Sequence, residues 1–426
     1  MKLFEGVKRL HSHSTSARGQ YGEVSARERT LSGSTGTRGG NRSHVCESNR
    51  ARDSKSFVKS LVSSCRSQVI EQTLLQRSSD TDLMMQLLLF KLFDGDVDQA
   101  IVLDQRIDQC LQHRGKEKAR FHWRHGFQRA LLRAFNTNRA AIDALTRARP
   151  LPPSLQVPRL LRDLEQEPGY PGFAVAILVR LRQLGAFNAV TSFTPSNIPK
   201  QIPKLIHQYW DKAQPPDDVL QLMSSWQANN AGWVCQRLDD ATAWDYLDQH
   251  CDKQVLLAFE TAAHATLRAD LIRLAVLAVQ GGVWADADDR AAQGVGHLFP
   301  SGVDLLLLQE NMGTIGNNFI ASAPNHPFMR YALKTVADHI LERQGDSIWF
   351  LSGPGALTLA FCHFYKRELR QLTLPAGVQI IDTFTLSRTV AQHLPLAYKH
   401  RGAHWNHQKQ RNRSLFRNPS GRPRAA

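Results

Sequence analysis

Two acidic residues one position apart, Asp286 and Asp288, follow a glycine pair and an aromatic in the run Gly281-Gly-Val-Trp-Ala-Asp-Ala-Asp-Asp289. If the chain is extended here, Trp284, Asp286 and Asp288 share one side, and the two acidic α-carbons lie about 7 Å apart. Paired carboxylates of this kind suit a hard divalent cation such as Mn²⁺ or Mg²⁺, which takes a few protein oxygens and leaves its other positions to phosphate and water. The chemistry would be Lewis-acid assistance to a departing diphosphate. Alone, Asp-x-Asp is a weak signal, since most such pairs are solvated turns. Asp289 points the other way and reads as solvated surface. One helix earlier, Asp270 and Arg273 are three residues apart on a neighbouring face of an apolar stripe formed by Leu267, Leu271, Leu274 and Ala278. An exposed ion pair there would contribute little; beside the acid pair, a functional role is the better reading.

These groups need a scaffold. Gly281-Gly282 ends the preceding helix, because glycine takes the left-handed conformation at little cost. Lys204–Tyr209 reads as a strand, Val219–Asn229 as a helix and Trp233–Leu238 as a strand. Helices follow at Ala241–Gln249 and Val255–Val279, then strands at Val283–Asp288 and Val303–Leu308. Strands alternating with helices predict an α/β fold, a mostly parallel sheet covered on both faces, with ligands at the carboxyl ends of its strands. His207 reads as a strand residue satisfied by hydrogen bonds. Asn317 and Asn318 either line the site or cap a turn.

Upstream, Leu83, Leu87, Phe90 and then Ile101, Leu103, Ile107 and Leu111 recur at helical spacing, which predicts an all-α accessory region. Phe93-Asp-Gly-Asp-Val-Asp-Gln-Ala100 and Phe135-Asn-Thr-Asn-Arg-Ala-Ala141 look like related joints between helices, and Arg149-Pro-Leu-Pro-Pro-Ser154 like a hinge. The expected organisation is a disordered basic segment at 1–66, a helical domain at 67–195, the α/β domain at 196–406 and a disordered basic tail at 407–426. The Ser/Arg/Gly-rich start has too few apolar residues to offset its ordering entropy. A downstream start at Met84 or Met85 is an alternative explanation of it.

The chain has 426 residues and a net charge of +15, but residues 81–398 hold 31 basic and 31 acidic side chains. The charge resides in the ends, which suit an anionic membrane surface or a non-specific polyanion. They lack the interleaved aromatics of a base-stacking surface, so no specific nucleic-acid partner is expected. Six scattered cysteines without a C-x-x-C pair oppose a structural zinc site or a disulfide framework. No run of 18 apolar residues occurs and no signal peptide is evident, which together predict a cytoplasmic protein, peripheral at the inner membrane face if the tails bind lipid.

Asp270-x-x-Arg273, Gly281-Gly282, an aromatic at 284 and Asp286-x-Asp288 resemble the D-x-D sugar-binding glycosyltransferases. That group includes family 32, with fungal α-1,6-mannosyltransferases and bacterial capsule and lipopolysaccharide enzymes, and more distantly the glucosylating toxins. The similarity continues in Ile202-Pro-Lys-Leu-Ile-His-Gln-Tyr-Trp210, Asn317-Asn-Phe-Ile-Ala-Ser322, His326-Pro327, Gly353-Pro-Gly-Ala-Leu-Thr358 and His400 with Trp405. It covers about residues 200–406. The resemblance implies a GT-A, Rossmann-like domain and retaining transfer of a hexose from a UDP- or GDP-sugar to a hydroxyl acceptor on a glycan, lipid-linked or protein molecule, in capsule, exopolysaccharide or lipopolysaccharide synthesis. By the same implication Trp210 stacks on the base, Asp270 and Arg273 bind the sugar, Asp286 contacts ribose, sugar or metal-bound water, and Asp288 is the principal ligand of Mn²⁺ or Mg²⁺. Asn317 and Trp405 join the donor site, and His400 or His404 completes the metal shell, since His404 stands where serine is usual. Trp284 replaces the commoner tyrosine. For Trp210 and Trp405 the rival reading is a core aromatic. A toxin-like protein glycosyltransferase and a non-catalytic sugar-nucleotide or nucleic-acid binder are the rival readings.

Overall fold

The computed structural model describes residues 67–124, 126–188, 201–345, 347–392, 394, 396–400, 414–419 and 421. The chain divides into two units, residues 1–86 and 87–426. In the first, the described residues are helical at 67–76 and again from Thr81. The second unit holds both the remaining helices of the accessory region and the sheet.

From residue 81 to the sheet the helices are α1 (Thr81–Phe93), α2 (Val97–His113), α3 (Glu117–Arg124), α4 (Phe127–Phe135), α5 (Arg139–Ala148), α6 (Pro153–Gln166) and α7 (Pro171–Gln183). The two joints seen in the sequence use one device. Phe93 and Phe135 close their helices and pack edge to face at 6.0 Å. Three residues after each, Asp96 and Asn138 cap α2 and α5 by accepting from Gln99 N and Ala141 N. The proline-rich stretch expected to be a hinge is tied at one end. Gln156 donates to the carbonyls of Arg149 and Leu151, and its own oxygen accepts from Arg180 at 2.7 Å. Helix α7 is buried along almost its whole length. It reaches the sheet through Arg182, which binds Gln309 and Asp382 at 3.2 Å each.

The strands are β1 (Leu205–Tyr209), β2 (Val234–Leu238), β3 (Gly282–Ala285), β4 (Arg290–Ala291), β5 (Leu305–Gln309), β6 (Ile315–Ser322), β7 (Val378–Asp382) and β8 (Val390–Ala391). The main sheet runs β2-β1-β3-β6-β5-β7, and β4 pairs with β8 apart from it. Strands β2, β1, β3, β5 and β7 run one way, while β6 is antiparallel to both neighbours. The protein is thus mixed α/β with a parallel-rich central sheet. The sheet is mostly parallel, as expected, and the reversal of β6 has a local cause. The Glu310–Thr314 turn, closed by Glu310 N to Thr314 O at 2.8 Å, is too short for a crossover and makes a hairpin.

Helix α8 (Asp217–Asn229) links β1 to β2; α9 (Asp240–His250), α10 (Lys253–Thr261) and α11 (Ala265–Val279) link β2 to β3. The single helical run expected over 255–279 is broken at Ala262–His264. Arg268 donates to the carbonyls of Ala262 and Ala263, Phe416 pairs with Ala262, and His264 caps α11 by accepting from Thr266 N. Ser414–Pro419, inside the stretch expected to be a basic tail, therefore includes residues paired to the body: Ala263 N reaches Leu415 O and Arg417 N reaches Thr261 O. The glycine pair does what its chemistry suggests. Gly281 and Gly282 have φ of +68° and +99°, and a Cβ on Gly282 would stand 2.7 Å from Leu205 O. Only glycine lets β3 enter between β1 and β6 at that spacing. After β6 come α12 (Pro327–Leu341), α13 (Ile348–Leu351), α14 (Pro354–Phe364), α15 (Lys366–Arg370), α16 (Thr383–Ser387) and α17 (Ala397–His400). No helix among the described residues is long and apolar enough to cross a membrane.

Burial of His264 disfavours its charged form and, with Arg268 near, pushes the imidazole down to about 4 from 6.5. Protonation then favours the unfolded chain, so this residue's contribution to stability is full above about pH 6.5 and is lost as pH falls toward 4. The loss reaches about 3 kcal/mol below both values. Denaturation between pH 7 and 4 is expected to show this slope, and His264→Asn, which retains a capping oxygen, is expected to flatten it. An unchanged slope in that variant would contradict the assignment.

Candidate active site

Helix α11 points Asp270 and Arg273, each 3% exposed, at the carboxyl end of β3. A buried guanidinium must be paired, and this one is paired twice. Its Nη1 donates to Asp270 Oδ1 and its Nη2 to Asp286 Oδ1, both at 2.7 Å. The same group lies 5.0 Å from the Trp284 ring centroid, and the indole Nε1 donates to Asp286 Oδ1 at 2.9 Å. An indole N–H thus supplies a donor to the first acid of the turn. Asn317 Nδ2 donates to Asp270 Oδ1 at 2.9 Å, and Ser352 Oγ to Asp270 Oδ2 at 2.7 Å. Burial pushes both carboxyls up. Arg273 opposes this at each; Asp286 adds to the rise at Asp270, and Asp288 to that at Asp286.

The strand stops earlier than its alternation suggests. β3 ends at Ala285, and the acidic residues sit on a turn in which Asp289 N reaches Asp286 O and Asp286 N reaches Asn318 O, both at 3.1 Å. The expected side-by-side carboxylates on a strand face are therefore presented by a turn at the strand's end. Asp289, expected in solvent, is 2% exposed. Its Oδ2 accepts from Asn318 Nδ2 at 3.0 Å, and its carbonyl accepts from Trp226 Nε1 at 2.9 Å. Successive asparagines on β6 face opposite sides, so Asn317 serves Asp270 and Asn318 serves Asp289. Asp288 accepts from Tyr398 OH at 2.9 Å and lies 2.5 Å from Lys399 Nζ.

Trp210 follows β1. Its ring meets Tyr398 edge-on at 5.1 Å and packs on an apolar patch that includes Val219, Met223 and Ala287. His207 is buried and bonds Gly281 O through Nε2 at 2.8 Å, in keeping with a strand residue rather than a ligand. The side chain of His400, and all of His404 and Trp405, lie outside the described residues. Among the described residues no group of three His, Cys, Asp or Glu could hold a metal ion. Sequence reasoning missed Ser352, Asn318's tie to Asp289, Tyr398 and Lys399. Ser352 had a signal, since it directly precedes the quoted Gly353-Pro-Gly run.

Residues 182–353 match the family model of capsular polysaccharide synthesis proteins. The chain is 23% identical over 168 residues to "Putative glycosyltransferase HOC1" of Saccharomyces cerevisiae, covering 34% of this chain and 42% of that protein. It is 26% identical over 155 residues to the mannosyl phosphorylinositol ceramide synthase SUR1 of the same yeast, covering 36% and 38%. The matched segment thus spans about two fifths of the length of these curated relatives. Among solved structures, the PaToxG glycosyltransferase aligns at 18% identity and a TM-score of 0.32, over 47% of this chain and 83% of that one. The resemblance read from the motifs holds: the chain is similar to sugar-transferring enzymes and to capsule-synthesis proteins.

Proposed function

We propose that the protein is a metal-dependent, retaining hexosyltransferase of GT-A architecture that uses a UDP- or GDP-linked sugar. The observation that carries this reading is the Arg273 bridge, which joins a helix acid, Asp270, to the first acid of the Asp-x-Asp turn at the carboxyl end of β3. Both hydrogen bonds to Asp286 fall on Oδ1. Three carboxylates (Asp270, Asp286, Asp288) pair with two cations, Arg273 and Lys399, and the excess of negative charge suits a divalent cation. When bound, Mn²⁺ or Mg²⁺ would stabilise charge on the leaving diphosphate. Asp288 and Asp286 would hold it, with His400 or His404 as further ligands. Arg273 and Asp270 would orient the sugar, and Trp210 and Trp405 the base. Asp270, tied down by Arg273, Asn317 and Ser352, is a poor nucleophile, which favours attack on the face the diphosphate leaves.

The acceptor is a hydroxyl on a glycan or lipid-linked molecule in capsule, exopolysaccharide or lipopolysaccharide synthesis, with the basic chain ends resting on an anionic membrane. The mannosyl product in SUR1's name puts GDP-mannose first among candidate donors. The test is a screen of GDP-mannose, UDP-glucose, UDP-galactose and UDP-GlcNAc for Mn²⁺-dependent hydrolysis. One donor is expected to turn over and to stop on chelation. Turnover of none of them, or turnover indifferent to chelator, would sink the proposal.

A further inference from the structure

Tyr398 and Lys399 belong to a segment no motif singled out. Leu394 and residues 396–399 lie by the acid turn, where Tyr398 and Lys399 both reach Asp288. Ala397 N donates to Asp218 Oδ2 at 2.9 Å, and Leu394, Leu396 and Tyr398 join the apolar patch with Trp210 and Ala287. From this strap Lys399 reaches inward. Its Nζ lies 2.5 Å from Asp288 Oδ2 and 3.0 Å from Leu394 O, with its side chain 15% exposed.

We infer that Lys399 is a further substrate-binding residue of the donor site: the counter-ion of Asp288 while the site is empty, and a ligand of the donor's diphosphate once a divalent cation takes that carboxylate. The inference rests on the donor-site reading above. Two cations cannot share one carboxylate edge without strong repulsion. The ammonium therefore leaves Asp288 as the metal arrives. It cannot go far, because Ala397's bond to Asp218 and the packing of Leu394 and Leu396 on the apolar patch hold the strap independently of the Lys399–Asp288 pair. A half-buried ammonium needs an anionic partner. The anion delivered with the metal is a diphosphate, which lysine binds as a point charge on a flexible four-carbon stem. The Tyr398 edge contact puts the same strap beside Trp210, the residue assigned to the base.

The two halves of this role have opposite signs, which separates them from structural damage. Mn²⁺ binding to the full chain is measured by electron paramagnetic resonance, and UDP and GDP binding at saturating Mn²⁺ by calorimetry. Lys399→Met is expected to bind Mn²⁺ about tenfold more tightly, since its competitor is gone, and the nucleoside diphosphate about tenfold more weakly. Lys399→Arg should stay near the parent protein in both. Loss of both affinities in Lys399→Met, or an unchanged Mn²⁺ affinity, would overturn the inference while leaving the donor site standing. Absence of Asp288-dependent Mn²⁺ binding in the parent protein would remove the donor-site reading and this inference with it.

Discussion

Replacing Arg273 by methionine is expected to destabilise the second unit by about 3–5 kcal/mol, read from the shift of its urea or guanidinium midpoint. The size follows from what is left behind. Asp270 is buried, and Asp286 shares its Oδ1 between Arg273 and Trp284. Without the guanidinium, Asp270 keeps two neutral donors, Asn317 and Ser352, and Asp286 keeps the indole. Burial already pushes both carboxyls up, with Arg273 opposing at each, so both are expected to take up protons in the variant. Its deficit should therefore be smaller at acid pH than at neutral pH. Adding Asp270→Asn should recover part of the loss, because one uncompensated charge disappears with it. Arg273→Lys is expected to rescue poorly, since a single ammonium cannot reproduce the fork that spans two carboxylates. A cost below about 1 kcal/mol for Arg273→Met would mean that the network is a surface pair rather than a buried hub.

Asp288→Asn is expected to lower Mn²⁺-dependent donor hydrolysis by about 10²–10³-fold with the fold intact. Asp288 sits on a turn with its side chain 23% exposed, and the one charge its neutralisation leaves without an ion pair is the partly exposed Lys399 ammonium. Tyr398 can still donate to the amide oxygen; Lys399 loses its ion pair. Asp289→Asn is the matched comparison. That side chain accepts from Asn318 and is almost fully buried, so its replacement should act on stability more than on metal dependence. Equal activity losses in the two variants at equal stability would remove the distinction between them.

Much of this site could be read along the chain because its parts obey local rules. The glycine pair ends α11 where a positive φ is needed, and β1, α8 and β2 fall within about two residues of the hydrophobic pattern that announces them. His326-Pro327 marks a helix start, the imidazole accepting from Phe328 N with proline in the first turn. Features set by distant partners were not legible. Nothing in Ala262-Ala-His264 breaks a helix; Arg268 from one side and Phe416 from the other hold it broken. The alternation Trp284, Asp286, Asp288 runs past the end of β3 because a turn closed by Asp289 N replaces the strand without changing the residue pattern. Lys399 and Asp288 are separated by more than a hundred positions, and no spacing rule connects them.

The most direct measurement is a structure of the full chain with Mn²⁺ and an unhydrolysed donor or nucleoside diphosphate. The account predicts a cation bound to the Asp288 carboxylate, the diphosphate on its far side, Arg273 still bridging Asp270 and Asp286, and Lys399 moved from Asp288 to phosphate oxygen. A nucleotide seated away from the carboxyl end of β3, with Asp288 still paired to Lys399 and no cation beside it, would contradict the account at its root.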